Sequence, residues 1–194
     1  MPETTNIIIA GVGGQGVLLI SSVLARAALL AGHDVKTNEV HGMAQRGGSV
    51  VAEVRYGTKV FSPLVEPETA NLIASLEEIE ALRYAHYLAP DGLAVVSQTQ
   101  LVPTTVSSGG AHYPPDSRER LKRVFPNLRS LDLVQAAKEV GNPKAGNMVL
   151  LGVISTLLAI PPDRWEEAIE TSVNSKFLDL NRRAFALGRE KGRE

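Results

Sequence analysis

Gly11-Val12-Gly13-Gly14-Gln15-Gly16 is the stretch of this chain best suited to hold an anion. It follows the apolar run Ile7-Ile8-Ile9-Ala10 and precedes Val17-Leu18-Leu19-Ile20, the order strand, glycine turn, helix. Glycines remove side chains that would block a close backbone approach, and the helix start supplies free N–H groups and a partial positive charge. Gly11, Gly13 and Gly16 keep the G-x-G-x-x-G spacing of dinucleotide sites. Gln15 adds a side-chain donor at the helix start. The plain alternative is a tight strand–helix turn with close packing. A dinucleotide site also needs an acid about twenty residues beyond the glycines to grip the ribose. Glu39 lies a little late for that task, and Asp34 precedes the second strand.

A second stretch, Glu39-Val40-His41-Gly42-Met43-Ala44-Gln45-Arg46-Gly47-Gly48, comes just after that strand. Arg46 offers a guanidinium to an anion or a partner carboxylate. His41 can donate or accept a hydrogen bond in the same place. The alternative is a structural corner in which Arg46 pairs with an internal acid. The candidate cofactor-binding set is therefore Gly11, Gly13, Gly14, Gln15, Gly16, His41, Arg46, Gly47 and Gly48. No catalytic residue is assigned, because no Ser/His/Asp grouping and no paired carboxylates stand at a credible spacing. The four histidines lack zinc-type spacing, so no metal site is assigned either. His33 reads as solvent-facing, His86 as a packing or surface residue, Asn147 as a cap for a helix from Met148, and Trp165 and Phe177 as packing or interface residues.

The elements that must position these residues alternate. Residues 7–10 read as a buried parallel strand, 15–30 as a helix stopped by Gly32, and 35–38 as a second strand. Residues 49–55 are strand-like, 56–59 a turn, and 60–61 extended again, which predicts a hairpin or antiparallel excursion. A strand at 71–74, a helix at 77–88 and a strand at 93–96 follow. A polar connection covers 98–115, then a helix at 117–124 and a strand at 128–131. Asp132 is placed to cap a helix over 133–140, with Gly141 past its end. Residues 142–146 form a turn before an apolar helix over 148–159. Helices at 163–171, with Asp163 as N-cap, and at 175–188 close the chain. Phe177, Leu180, Ala184 and Leu187 form the inner stripe of the last one. The pattern is a single α/β domain over 1–194: three layers, a mostly parallel sheet with helices on both faces, Rossmann-like, with a hairpin excursion and C-terminal helices.

Composition narrows the function classes. The 194 residues suffice for one sizeable core, and 44% hydrophobic with 21% charged is ordinary for a globular chain. Twenty basic against twenty-one acidic residues gives net charge -1, so no basic excess points to nucleic acid or membrane. Cysteine is absent, which excludes a disulfide, a thiol nucleophile and a cysteine-ligated iron–sulfur cluster. Any electron-carrying centre belongs to another chain. No basic region precedes Ile7 and the first apolar run is too short for a bilayer, so a cytoplasmic protein is expected.

The two glycine-rich stretches in this order resemble the gamma-type domain of the 2-oxoacid:ferredoxin oxidoreductases, and within it the small (beta) subunits of indolepyruvate ferredoxin oxidoreductases. Ser62-Pro63-Leu64, Leu82-Arg83-Tyr84, Gly141-Asn142-Pro143-Lys144, Asn147-Met148-Val149-Leu150-Leu151-Gly152, Lys176-Phe177, Asn181 and Ala184-Phe185 extend the likeness over almost the whole chain. The family usually has Asp where this chain has Asn71, which leaves that position a turn or strand-edge role. The resemblance implies oxidative decarboxylation of an aryl 2-oxoacid to an acyl-coenzyme A, with electrons passed to ferredoxin. It implies a larger alpha subunit carrying thiamine diphosphate, Mg and [4Fe-4S] clusters, while this chain shapes the coenzyme A cleft. Self-association into a homodimer is a further expectation for the isolated chain. Two other readings stay open: a stand-alone NAD(P)-dependent reductase, and a non-catalytic binding or assembly module.

Overall fold

Ile7, Ile8, Ile9 and Ala10 are all fully buried, which is why an unbroken apolar run rather than an alternating one opens the chain. They lie in β1 (Thr4–Val12), near the middle of a six-stranded sheet in a computed structural model that describes residues 4–42, 47–101 and 112–194. The other strands are β2 (Asp34–His41), β3 (Ser49–Gly57), β4 (Ala70–Ser75), β5 (Leu88–Ser97) and β6 (Leu128–Leu131). Their order is β2-β3-β1-β4-β5-β6. β1, β4, β5 and β6 pair in parallel, whereas β3 runs antiparallel to both β1 and β2. The mostly parallel sheet of the sequence reading is present, with β3 as its reversed strand.

Helices cover both faces. α1 (Val17–Leu30), α4 (Leu133–Glu139), α5 (Gly146–Ser155), α6 (Pro162–Ser172) and α7 (Leu178–Lys191) pack on the face of Ile7, Ile9, Ala52, Val54 and Val95. α2 (Glu78–Arg83) and α3 (Ser117–Val124) lie on the face of Ile8, Ile73, Ala94 and Val96, where Leu121 and Phe125 fill the space. Among the described residues no helix is long and apolar enough to cross a membrane.

Several expectations need correction. The antiparallel excursion exists, but β3 pairs with β2 and β1, and residues 60–61 add no strand. The Asp34 carboxylate instead accepts the Val60 N–H at 2.8 Å, which binds that segment outside the ladder. The helix expected over 77–88 ends at Arg83; a short 3₁₀ turn, Ala85–Tyr87, leads into β5. β5 starts earlier than the apolar pattern suggested. A register shift between the Ala70 and Leu72 pairings admits Pro90, which has no N–H to give a ladder. α5 ends at Ser155, and α6 begins at Pro162, so Pro161 rather than Asp163 stands at its N-cap. Phe177 is half exposed in a separate 3₁₀ turn; Ala184, Phe185 and Gly188 are the buried residues of α7. The Asp132 cap is in place, accepting the Gln135 N–H at 2.8 Å. Much of the connection expected over 98–115 lies outside the described residues.

Candidate functional site

All strand ends that carry the candidate residues point to one edge of the sheet. The glycine turn follows the end of β1, His41 ends β2, Ser49 begins β3, and Ser75 and Ser97 end β4 and β5. This is the carboxyl end of the parallel strands, where open α/β sheets hold ligands.

The turn is built by its own side chain. Gln15 Oε1 accepts the Val12 N–H at 2.7 Å, and its Nε2 donates to the Leu76 carbonyl at 2.8 Å. Gln15 thereby ties the end of β1 to the segment after β4, and its amide is used within the protein. A Cβ on Gly11 would lie 2.9 Å from Val17 Cγ2 and 3.0 Å from Gln15 Oε1, so Gly11 serves close packing. Gly16 is the N-cap of α1 with φ +87°, and a Cβ there would strike the Asn147 amide. Gly14, with φ +100°, has open space beside it. The N–H groups of Gly14, Gly16, Val17 and Leu18 have no protein acceptor among the described residues, as is usual around the first turn of a helix.

The second glycine stretch is joined to the first. The Gly13 N–H donates to the Gly48 carbonyl at 2.8 Å, and the Gly47 N–H reaches the Gly13 carbonyl at 3.5 Å. Gly47 has φ +78°, which suits glycine at that corner. His41 is exposed at the end of β2 and lines a cleft of about 370 Å³ with Gly13, Gly14, Gly16, Leu18 and Val50. Arg46, with Gln45, lies outside the described residues. A second cleft of about 310 Å³ opens on the other side of Gly14, lined by Leu76, Ser97, Thr99, Lys144 and Asn147. Two larger clefts exist elsewhere, one along α1 and β2 and one at the amino end of the strands. Neither includes the glycine turn.

Neither acid considered for a ribose takes up that position. β3 separates β1 from β2, setting the β2 end about 4.8 Å further from the turn than in an adjacent-strand site. Glu39 instead accepts a hydrogen bond from Ser21 Oγ of α1 at 2.7 Å. Asp34 sits at the opposite end of β2, bonded to Lys36 and the Val60 N–H. Asn71 needs no charge for its task, since its Oδ1 accepts the Asn6 N–H at 2.8 Å. His33 is half-buried against the Tyr56 ring, and His86 is exposed with its ring tilted against Tyr87.

Three carboxylates that the sequence reading passed over are buried behind the segment that follows β4. Glu77, Glu78 and Glu80 are buried at the end of β4 and the start of α2. Glu77 accepts from the Tyr113 hydroxyl at 2.6 Å, the Glu80 N–H at 2.9 Å and the Leu101 N–H at 3.3 Å. Glu78 accepts from Ser117, from Gln100 at 2.8 Å and from Arg118 at 2.9 Å. Glu80 accepts from Ser49 and Arg83, linking β3 to α2. Burial raises the Glu78 pKa, but the hydrogen bonds from Ser117, Gln100 and Arg118 outweigh it and hold the carboxyl below its usual range. Burial, then the Glu77 carboxylate, pushes the Tyr113 hydroxyl well above the usual phenol range, so it remains a neutral donor. The sequence signal was the run Glu77-Glu78-Ile79-Glu80 directly after a strand. It reads as an ordinary acidic helix start, which the helix dipole favours anyway.

Asn147 was also placed differently by the sequence. It follows the first residue of α5, accepts the Met148 N–H at 2.8 Å, and sets its amide against Gly16. The turn Asn142–Gly146 therefore reaches the glycine turn from a distant part of the chain.

The family profile "Pyruvate ferredoxin/flavodoxin oxidoreductase" matches residues 6–191. The chain is 40% identical to "Indolepyruvate oxidoreductase subunit IorB" of Thermococcus kodakarensis, over 97% of this chain and 96% of that protein. Its fold is similar to that of a keto/oxoacid ferredoxin oxidoreductase gamma subunit from Geobacter sulfurreducens, with TM-score 0.71 and 24% identity over 97% of this chain and 98% of the other. It is also similar to part of a 2-oxoglutarate:ferredoxin oxidoreductase from Magnetococcus marinus, solved with 2-oxoglutarate, coenzyme A and succinyl-CoA. There the TM-score is 0.76 and the identity 21%, and the match covers 100% of this chain but 32% of that one. The chain belongs to the pyruvate ferredoxin/flavodoxin oxidoreductase family, as a subunit of the 2-oxoacid type.

Proposed function

We propose that this chain is the small subunit of a cytoplasmic indolepyruvate, or aryl 2-oxoacid, ferredoxin oxidoreductase, as one domain over 1–194. It shapes the cleft that receives coenzyme A. In the reaction a 2-oxoacid loses carbon dioxide, its acyl carbon forms a thioester with coenzyme A, and two electrons pass to ferredoxin with release of a proton. Thiamine diphosphate with Mg, and [4Fe-4S] clusters, supply the carbanion stabilisation and electron transfer when bound; without cysteine, this chain leaves cluster ligation to the larger partner.

The observation that carries the reading is the set of N–H groups at Gly14, Gly16, Val17 and Leu18, without protein acceptors among the described residues, on four residues that line one cleft, of which Gly14 also lines the second. They suit the phosphate groups of coenzyme A. His41 and Lys144, one in each cleft, add a donor and a cation at its rims. Arg46 is proposed for the same anion, and Gly47 and Gly48 hold the rim against Gly13. The stand-alone NAD(P) reading loses support, because Glu39 and Asp34 are engaged away from the turn.

The test is a pair of substitutions at Gly14, where a side chain meets open space. Gly14→Asn and Gly14→Asp carry similar backbone strain and differ in charge. In the assembled complex, indolepyruvate-dependent reduction of a viologen dye is followed against coenzyme A concentration. Gly14→Asp is expected to raise KM for coenzyme A about tenfold above Gly14→Asn, the effect of ~1.4 kcal/mol of repulsion at a partly exposed site. Equal KM values would remove the glycine turn from the anion site.

A further inference from the structure

The segment after β3 has no regular structure, yet its backbone is hydrogen-bonded to side chains of β2 and β3. Val60 and Val65 are buried at its two ends, and between them Phe61 stands 86% exposed and Leu64 55% exposed, with Pro63 beside them. Phe61 is the most exposed large apolar residue among those described.

The backbone of this loop is fastened from beneath by β3. Arg55 Nη1 donates to the Ser62 carbonyl at 2.8 Å and to the Leu64 carbonyl at 2.9 Å, while its Nε donates to Asn6 Oδ1 at 2.8 Å. Glu53, buried on the same strand, accepts the Val65 N–H. Asp34 of β2 accepts the Val60 N–H. Ser62 Oγ accepts the Leu64 N–H at 3.2 Å within the loop. Further on, Glu68 holds φ +62°, a strained setting for a residue with a Cβ, fixed by its N–H on the His86 carbonyl at 3.0 Å. A guanidinium and two carboxylates are thus committed to the shape of one loop whose apolar tips touch solvent. Shape held in advance lowers the ordering cost of binding, and an exposed aromatic on a fixed backbone suits an interface anchor.

We propose that Phe61-Ser62-Pro63-Leu64 is a preformed docking knob that seats Phe61 and Leu64 in an apolar recess of the larger catalytic subunit. The proposal rests on the small-subunit reading above. Three observations favour that occupant. The similar part of the Magnetococcus marinus oxidoreductase is only 32% of its chain, so there a domain of this fold has the rest of a large chain to pack against. The knob starts beside the amino end of β2 and folds back over β3, where Val65 joins the cluster of Ile8 and Ile73; none of its residues lines either cleft at the glycine turn, so it can be covered without blocking the anion site. Lys59 sits 5.0 Å from the Phe61 ring centroid, placing a cation at the edge of the apolar tip, where a polar interface rim would form.

The test is association of the full chain with its co-expressed larger subunit, measured by titration and by recovery of the complex. Phe61→Ser and Leu64→Ser are expected to weaken association about 10- to 30-fold each, while leaving the melting temperature of the isolated chain unchanged. Leu29→Ser, at a position on α1 as exposed as Leu64, is the control and is expected to have no effect. Wild-type affinity in Phe61→Ser, or an equal loss in Leu29→Ser, would overturn the knob while leaving the subunit reading intact. A lowered melting temperature in Phe61→Ser would make the residue structural and overturn it too. A dimer of the isolated chain that Phe61→Ser abolishes would assign the knob to self-association instead. Failure of the wild-type chain to bind any larger subunit would overturn the subunit reading itself.

Discussion

Replacing Gly16 by alanine tests whether the glycine turn and the distant Asn147 form one unit. Gly16 has φ +87°, which costs an L-residue ~1.5 kcal/mol. The new Cβ also strikes the Asn147 amide, lying 3.2 Å from its Cγ but 3.6 Å from its Cβ. The amide must swing away, and in doing so it gives up the 2.8 Å bond from the Met148 N–H, at a cost of ~1 kcal/mol. Gly16→Ala should therefore destabilise by ~2.5 kcal/mol, the sum of the two costs. Asn147→Ala removes the same hydrogen bond and should cost ~1 kcal/mol. In the double variant nothing remains to collide, since the two Cβ atoms are in ordinary contact. Its loss should be ~2.5 kcal/mol rather than the additive ~3.5 kcal/mol, a coupling of ~1 kcal/mol. Urea unfolding of the four proteins, with unchanged m-values, reads this directly. Losses that add to within ~0.4 kcal/mol would refute the contact and the strain argument built on it.

Further consequences follow from buried contacts. Gly152 of α5 meets α7 backbone to backbone: a Cβ there would strike the Phe185 carbonyl and lie 2.8 Å from Gly188 Cα. Helix propensity alone predicts that Gly152→Ala stabilises by ~1 kcal/mol. Overpacking of ~3 kcal/mol should reverse the sign, and a net loss of ~2 kcal/mol should lower the melting temperature by about 4–8 °C; a rise would show the crossing is looser than described. Glu78 is held below its usual carboxylate range, so its contribution is present above the unfolded pKa and is lost as pH falls through the lower folded one. Stability should therefore fall as the pH drops below the ordinary carboxylate range, and Glu78→Gln should flatten that limb. The same slope in both proteins would remove Glu78 as a source of acid sensitivity.

How much of this was legible in the sequence depends on the range of the interactions involved. The strand–turn–helix at residues 7–30 was readable because its determinants are neighbours: a continuous β-branched run, glycines at a fixed spacing, and helix periodicity after them. The Asp132 cap was readable for the same reason, since its partner is Gln135. The limits of β5 were misplaced because Pro90 is a poor strand residue by propensity, and only the register shift against β4 accommodates it. The expected continuation of the excursion into residues 60–61 failed because the Asp34 side chain and the Arg55 guanidinium captured that backbone. Side-chain capture of this kind leaves no periodic trace.

By itself the sequence determined the α/β class, the glycine turn that begins α1, the absence of cysteine chemistry, and the family likeness carried by ordered motifs. Each of these is local or compositional. Only the tertiary structure decided that β3 enters between β1 and β2, which removes the ribose acid from its place. Only it brought Gly47 and Gly48 onto Gly13, Asn147 onto Gly16, and Glu77, Glu78 and Glu80 into buried hydrogen-bonded positions. It likewise left Phe61 outside while fixing the loop that carries it. The physical reason is common to all: strand pairing, hydrogen bonding to a remote carbonyl and burial depend on which segments meet in space, and residue type constrains that choice without naming the partner.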